Sequence, residues 1–168
     1  MEQQRDKLSS AGSPTILVVD SERSSLSLCK TILEGAGFMV LEADGSSDAL
    51  KICTQHPGPI ELLLTELVLP PPEFQLASSS NPFPHVNGQE LAIRAAKIRS
   101  GLRIILMSGN PEKELASHGI KLGTFPFLDK PFEIDHLVTA VQQVLAQPAP
   151  TLMSEPQSGA TNETTWYG

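Results

Sequence analysis

The sequence predicts a three-layer α/β fold: a doubly wound (βα)5 domain whose parallel sheet carries helices on both faces. Three observations point there. Five short apolar runs lack polar alternation, which is how strands covered on both faces read. Between them lie stretches with apolar residues at helical spacing. The length, 168 residues with 40% hydrophobic, suits one domain with some excess chain and a core that needs no staple. Strand–helix alternation with right-handed crossovers leaves few other arrangements.

Thr15 to Val19 is the first strand. The first helix, Arg23 to Glu34, carries Leu28, Cys29, Ile32 and Leu33 on one face and stops at Gly35, where a left-handed residue costs little. Phe38 to Leu41 is the second strand, and Ser47 to His56 the second helix, carrying Ala49, Leu50 and Cys53 and ending before Pro57. Ile60 to Leu67 is the third strand, and Gln89 to Arg99 the third helix, with Leu91, Ala95 and Ile98 inward. Arg103 to Ser108 is the fourth strand. Pro111 to His118 is a short helix with proline in its first turn and Gly119 behind it. Phe125 to Leu128 is the fifth strand. Ile134, Leu137, Val138, Val141, Val144 and Leu145 give the last helix the clearest apolar stripe.

The domain spans 14–147. Residues 1–13 and 148–168 read as disordered tails, polar or rich in Pro, Ser and Thr, with too little apolar surface to order themselves. Trp166 and Tyr167 in the second tail are either a docking anchor or part of a segment without function. A Pro/Ser-rich insertion at 71–86, with Phe74, Leu76 and Phe83, is longer than structureless loops usually are. It is neutral elaboration, or else it lies over the domain's active face or docks a partner.

Composition excludes several functions. A formal charge of −7 with scattered basic residues argues against nucleic acid. No run is long enough to span a membrane and no secretory leader is evident, so a cytoplasmic location is expected. Cys29 and Cys53 lack metal-site spacing and read as buried, reduced thiols. His56, His85, His118 and His136 are dispersed.

In open parallel sheets chemistry gathers at the carboxyl ends of the strands, at the point where strand order reverses. Those ends carry Asp20-Ser21-Glu22, Thr65-Glu66, Ser108-Gly109 and Asp129-Lys130-Pro131-Phe132. The segments ILVVDSE, ELLLTELVLP, NGQELA, ILMSG and FLDKPF, in that order and spacing, resemble the CheY-like receiver domain of two-component response regulators. Met107 to Leu145 is most similar to receivers attached to hybrid histidine kinases.

The resemblance implies a flavodoxin-like fold in which a carboxylate attacks a phosphoryl group, Mg2+ offsets the developing charge, and a lysine and a hydroxyl hold the phosphoryl oxygens. By position it implies Asp20 as first acid of the pocket and a metal ligand, and the Val68 backbone carbonyl as another. Glu66 stands at the phosphoacceptor position, Lys130 at that of the phosphate-pairing lysine, and Ser108 at that of the switch hydroxyl. Phe127 matches the aromatic that rotates on activation, and Pro131 the residue joined to that lysine by a cis bond.

Two positions depart from the family pattern. Ser21 stands where a second metal-binding aspartate is implied, and a neutral oxygen is a poorer ligand for a hard dication. Glu66 replaces the acceptor aspartate, moving its carboxylate out by about 1.5 Å, and attack geometry is sensitive to displacements of about 1 Å. The displaced carboxylate is expected to pair with Lys130 and so to mimic part of an acyl phosphate. Glu22 could replace some of what Ser21 lost. Glu66 and Gly88 stand 22 residues apart, wider than the resemblance implies because of the insertion.

The expected function is that of a stand-alone pseudo-receiver, not an enzyme, with no cofactor or weak Mg2+. It would contact a histidine kinase or another signalling protein through the helix at 111–118, the fifth strand and the last helix, as a monomer or weak homodimer. The alternative is a Mg2+-dependent phosphorelay receiver using Glu66 with Asp20, Glu22 and Lys130. A flavodoxin-like binder of another ligand is disfavoured, since no glycine-rich phosphate loop follows the first strand.

Overall fold

The computed structural model describes residues 12–69, 87–109 and 125–148. The predicted helix at 111–118, the 71–86 insertion and most of both predicted tails lie outside the described residues. The elements are β1 Thr15–Val19, α1 Arg23–Gly35, β2 Met39–Ala43, α2 Ser46–Gln55, β3 Leu62–Glu66, α3 Gly88–Ile98, β4 Arg103–Ser108, β5 Phe127–Asp129 and α4 Ile134–Ala146.

All strand pairs are parallel, in the order β2-β1-β3-β4-β5. Strand alternation divides the core between the two faces. Ile16 and Val18 of β1, Leu62 and Leu64 of β3, and Ile105 and Met107 of β4 meet Leu26, Cys29, Ile32 and Leu33 of α1 and Leu137, Val141 and Val144 of α4. Their neighbours Leu17, Val19, Leu63, Ile104 and Leu106 face the other way, against α2 and α3. That is why the strands read as continuous apolar runs: both pleats are buried.

Three helix faces differ from expectation. In α1 the buried set is Leu26, Cys29, Ile32 and Leu33, while Leu28 is half exposed. Leu28 is two positions beyond Leu26 and so about 200° round the helix. In α3 the inward side is Leu91, Ala92, Ala95 and Ala96, with Ile98 exposed; one leucine and three alanines, not Ile98, make the buried face. Ile134, in the first turn of α4, is exposed as well.

The end of α1 also differs. Gly35 is the last helical residue, and the left-handed conformation belongs to Gly37, with φ +97°. Gly37 N–H donates to Glu34 O and Phe38 N–H to Leu33 O, both at 3.0 Å. This is a Schellman closure, with glycine at the position that needs positive φ. The strand ends shift too: β2 runs to Ala43, β3 stops at Glu66 and β5 includes Asp129.

At the amino-terminal end of the sheet, away from the predicted site, Arg99 ties three segments together. Its Nε donates to Cys53 O at 2.9 Å, Nη1 to Gly58 O at 2.7 Å and Nη2 to His56 O at 2.6 Å. One planar guanidinium thereby closes the end of α2 and the loop after it. Cys29 and Cys53 are buried and free.

Candidate acid–lysine site at the carboxyl edge of the sheet

Strand order reverses between β1 and β3, and the residues at those two strand ends are Asp20 and Glu66. Asp20 continues the ladder one step beyond β1, its N–H donating to Ala43 O at 3.2 Å. Leu67, just after β3, donates to Met107 O at 2.8 Å, and Lys130, just after β5, to Ser108 O at 2.8 Å. The sheet thus holds the backbone of each strand end before the side chains meet. The Lys130–Pro131 peptide is cis.

Asp20 is fully buried. Its Oδ1 accepts the Glu22 N–H at 2.9 Å and its Oδ2 accepts Lys130 Nζ at 2.5 Å. Glu66 Oε2 accepts both the Ser21 hydroxyl at 3.1 Å and the Ser21 N–H at 3.4 Å, while Oε1 stands 4.0 Å from Lys130 Nζ. The close partner of Lys130 is therefore Asp20, and the expected Glu66–Lys130 pairing is only a distant contact. The longer Glu66 side chain is drawn towards Ser21, whose hydroxyl and N–H converge on one oxygen.

The electrostatics follow from two carboxylates sharing one ammonium. Burial, and then the Asp20 carboxylate, push the Glu66 carboxyl above the ordinary 4.5, with Lys130 and the Ser21 N–H pulling the other way. Burial would lower the Lys130 ammonium, but the hydrogen bond and charge of Asp20, with Glu66 beyond, raise it above 10.5. Cys29, beneath them, is pushed up to about 11 by burial and by Asp20.

The other candidates fall around this cluster in different ways. Ser108 is buried at the end of β4 and joins through its carbonyl. Phe127 is partly buried and packs on the core between the sheet and α2–α3, as does Val68. Glu22 turns away from Glu66: its Oε1 accepts the Ser24 hydroxyl at 2.8 Å and its Oε2 the Ser25 hydroxyl at 3.4 Å.

Gly88 is the structural partner that its motif position alone did not explain. A Cβ there would lie 2.1 Å from Glu66 O and 2.9 Å from Leu67 Cα. Its N–H donates to Leu67 O at 2.7 Å, and the Asn87 side chain caps α3 by accepting the Glu90 N–H at 2.8 Å. The start of α3 thus presses directly on the backbone that carries Glu66. The only sequence signal for this was a glycine directly after a helix-capping asparagine.

A divalent ion does not fit the donor set. Mg2+ prefers several hard oxygens in near-octahedral array, carboxylates among them. Here Asp20 is paired with Lys130, the Ser21 hydroxyl donates to Glu66, and Glu22 serves α1. Among the described residues no group of three or more His, Cys, Asp or Glu side chains is placed to hold a metal.

Fold and site together define a doubly wound domain with an acid–lysine cluster at its switch point. Its homologues and structural neighbours are response-regulator receiver domains, which places the chain in two-component signalling. FixJ of Bradyrhizobium diazoefficiens is 29% identical over 140 residues, covering 83% of this chain and 60% of that protein. NtrC of Azospirillum brasilense is 28% identical over 149 residues, 89% of this chain and 28% of that one. Sensor kinase CckA of Brucella abortus is 26% identical over 135 residues, 80% of this chain and 13% of the kinase. The chain thus spans between about an eighth and three-fifths of the length of these relatives.

A receiver protein from Sinorhizobium medicae superposes with TM-score 0.61 at 27% identity, covering 79% of this chain and 94% of that one. The receiver domain of hybrid kinase CckA gives 0.58 at 25%, covering 78% and 98%. No family model matches. Among the described residues no helix is long and apolar enough to cross a membrane.

Proposed function

We propose that this chain is a pseudo-receiver, a module of two-component signalling that works through protein contacts without a cycle of phosphorylation at Glu66. One observation carries the reading: Lys130, the cation that would meet an incoming phosphoryl group, is bound at 2.5 Å by the fully buried Asp20, while the Glu66 carboxylate is held by Ser21. An attacking carboxylate must meet phosphorus in line while cations gather on the equatorial oxygens. Here the nucleophile is displaced and the cation occupied. Ser108 is buried at the end of β4 and Phe127 opens β5, next to the groove along α4, which supports a contact surface on this side of the domain.

The partner is a histidine kinase or another signalling protein, neither nucleic acid nor a membrane. The contact lies along β5 and α4, where Phe127, Asp129, Phe132, His136 and Gln143 line an open groove of about 370 Å3. Incubation with acetyl phosphate and Mg2+, read by intact-protein mass, should leave the chain unmodified. A Mg2+-dependent phosphate adduct mapped to Glu66 would establish the phosphorelay alternative instead.

A further inference from the structure

We infer that Lys130 is the resident cation of this pocket, a tethered ammonium that neutralises the acid cluster in place of a divalent ion. The inference deepens the pseudo-receiver reading and rests on it. Asp20 is the one charged side chain among the buried polar residues described. A buried charge is tolerated when it is paired and hydrogen-bonded, and Asp20 has both, from Lys130 on one oxygen and the Glu22 N–H on the other. The same ammonium stands 4.0 Å from Glu66 Oε1, so one cation lies against two carboxylates.

A dication entering between Asp20 and Glu66 would meet that ammonium at close range in a partly desolvated site, where like charges repel strongly. It would also have to take Glu66 Oε2 from two Ser21 donors. Glu22 offers no replacement, because Ser24 and Ser25 hold its carboxylate. Covalent attachment gives the ammonium a permanent local concentration that a dissolved ion lacks. The pocket's charge is then set by the chain and not by the surrounding Mg2+, which suits a module held in one state.

The test is a Mn2+ titration of the full chain followed by paramagnetic broadening of amide resonances. Wild type should show no saturable broadening at Asp20, Ser21 and Glu66 at millimolar metal. Lys130→Gln should bind Mn2+ at these amides about tenfold or more tighter than wild type, because a like charge has been removed, whereas Lys130→Arg should behave as wild type. Saturable wild-type binding at these amides overturns the inference, even if the glutamine variant does not fold. So does a folded Lys130→Gln that binds no better than wild type. Mn2+ binding without phosphate on Glu66 would refute the resident cation alone, whereas phosphate on Glu66 would refute the pseudo-receiver reading.

Discussion

Replacing Gly88 with alanine sets helix propensity against packing at the site. Propensity favours the change: glycine within a helix is worse than alanine by about 0.8–1 kcal/mol. Packing opposes it, because the new Cβ would stand 2.1 Å from Glu66 O and 3.0 Å from Glu66 C. A relaxed carbon–oxygen contact needs about 3.3 Å, so the start of α3 and the end of β3 must separate by about 1.2 Å. The hydrogen bond from Gly88 N–H to Leu67 O sits at the same contact. Overpacking of this kind costs about 1–3 kcal/mol, and the bond adds about 1. Packing wins, with a net loss of about 1–3 kcal/mol.

Two other glycines of the same chain calibrate the comparison. Gly35, at the end of α1, has nothing within 4 Å of where an added methyl would stand and no positive φ, so Gly35→Ala should gain about 0.5–1 kcal/mol. Gly37 also has open space but a φ of +97°, so Gly37→Ala should lose about 1–2 kcal/mol through backbone conformation alone. Urea unfolding of the three variants and wild type, compared at a common slope, reads the signs. Amide shifts at Glu66 and Lys130 should move in Gly88→Ala only. A Gly88→Ala protein as stable as wild type would refute the close-contact argument.

Arg99→Ala should cost about 1–3 kcal/mol by removing a charged donor from three carbonyls, and Arg99→Lys should recover only part, since an ammonium lacks the planar fork; both are read by urea midpoints. Because the folded Glu66 carboxyl lies above the ordinary 4.5, its contribution to stability is present below that value and is lost as pH rises through the folded pKa. Glu66→Gln should therefore gain on wild type as pH rises above 4.5, measured by thermal unfolding across pH. Lys130 is raised above 10.5, so its contribution holds to that pH and disappears above it as the ammonium titrates, visible as alkaline unfolding. The Cys29 thiol, buried and pushed up to about 11, should react with a thiol reagent at neutral pH only after urea unfolds the chain.

Much of the architecture was legible in the chain itself. Both pleats of β1, β3 and β4 are covered, so Ile16 to Val19, Leu62 to Leu64 and Ile104 to Met107 form unbroken apolar runs, and the alternation with helical stripes leaves few sheet topologies, among which the structure has the order β2-β1-β3-β4-β5. The chemical identities at the strand ends were legible too, since a residue just after a parallel strand is exposed to the switch point wherever the helices pack. What the chain could not state is which side chains meet. Leu28 and Ile98 looked inward because size stood in for direction, but a helix's rotation on the sheet is decided by what packs best beneath it, and in α3 that was Leu91 with three alanines. Asp20 and Lys130 are 110 residues apart and Ser21 and Glu66 are 45 apart. Sequence determined that an acid pair and a lysine would share one edge. Tertiary structure decided that the lysine takes the buried aspartate and leaves Glu66 to Ser21, because a fully desolvated carboxylate has the stronger claim on the ammonium that lies within reach of both.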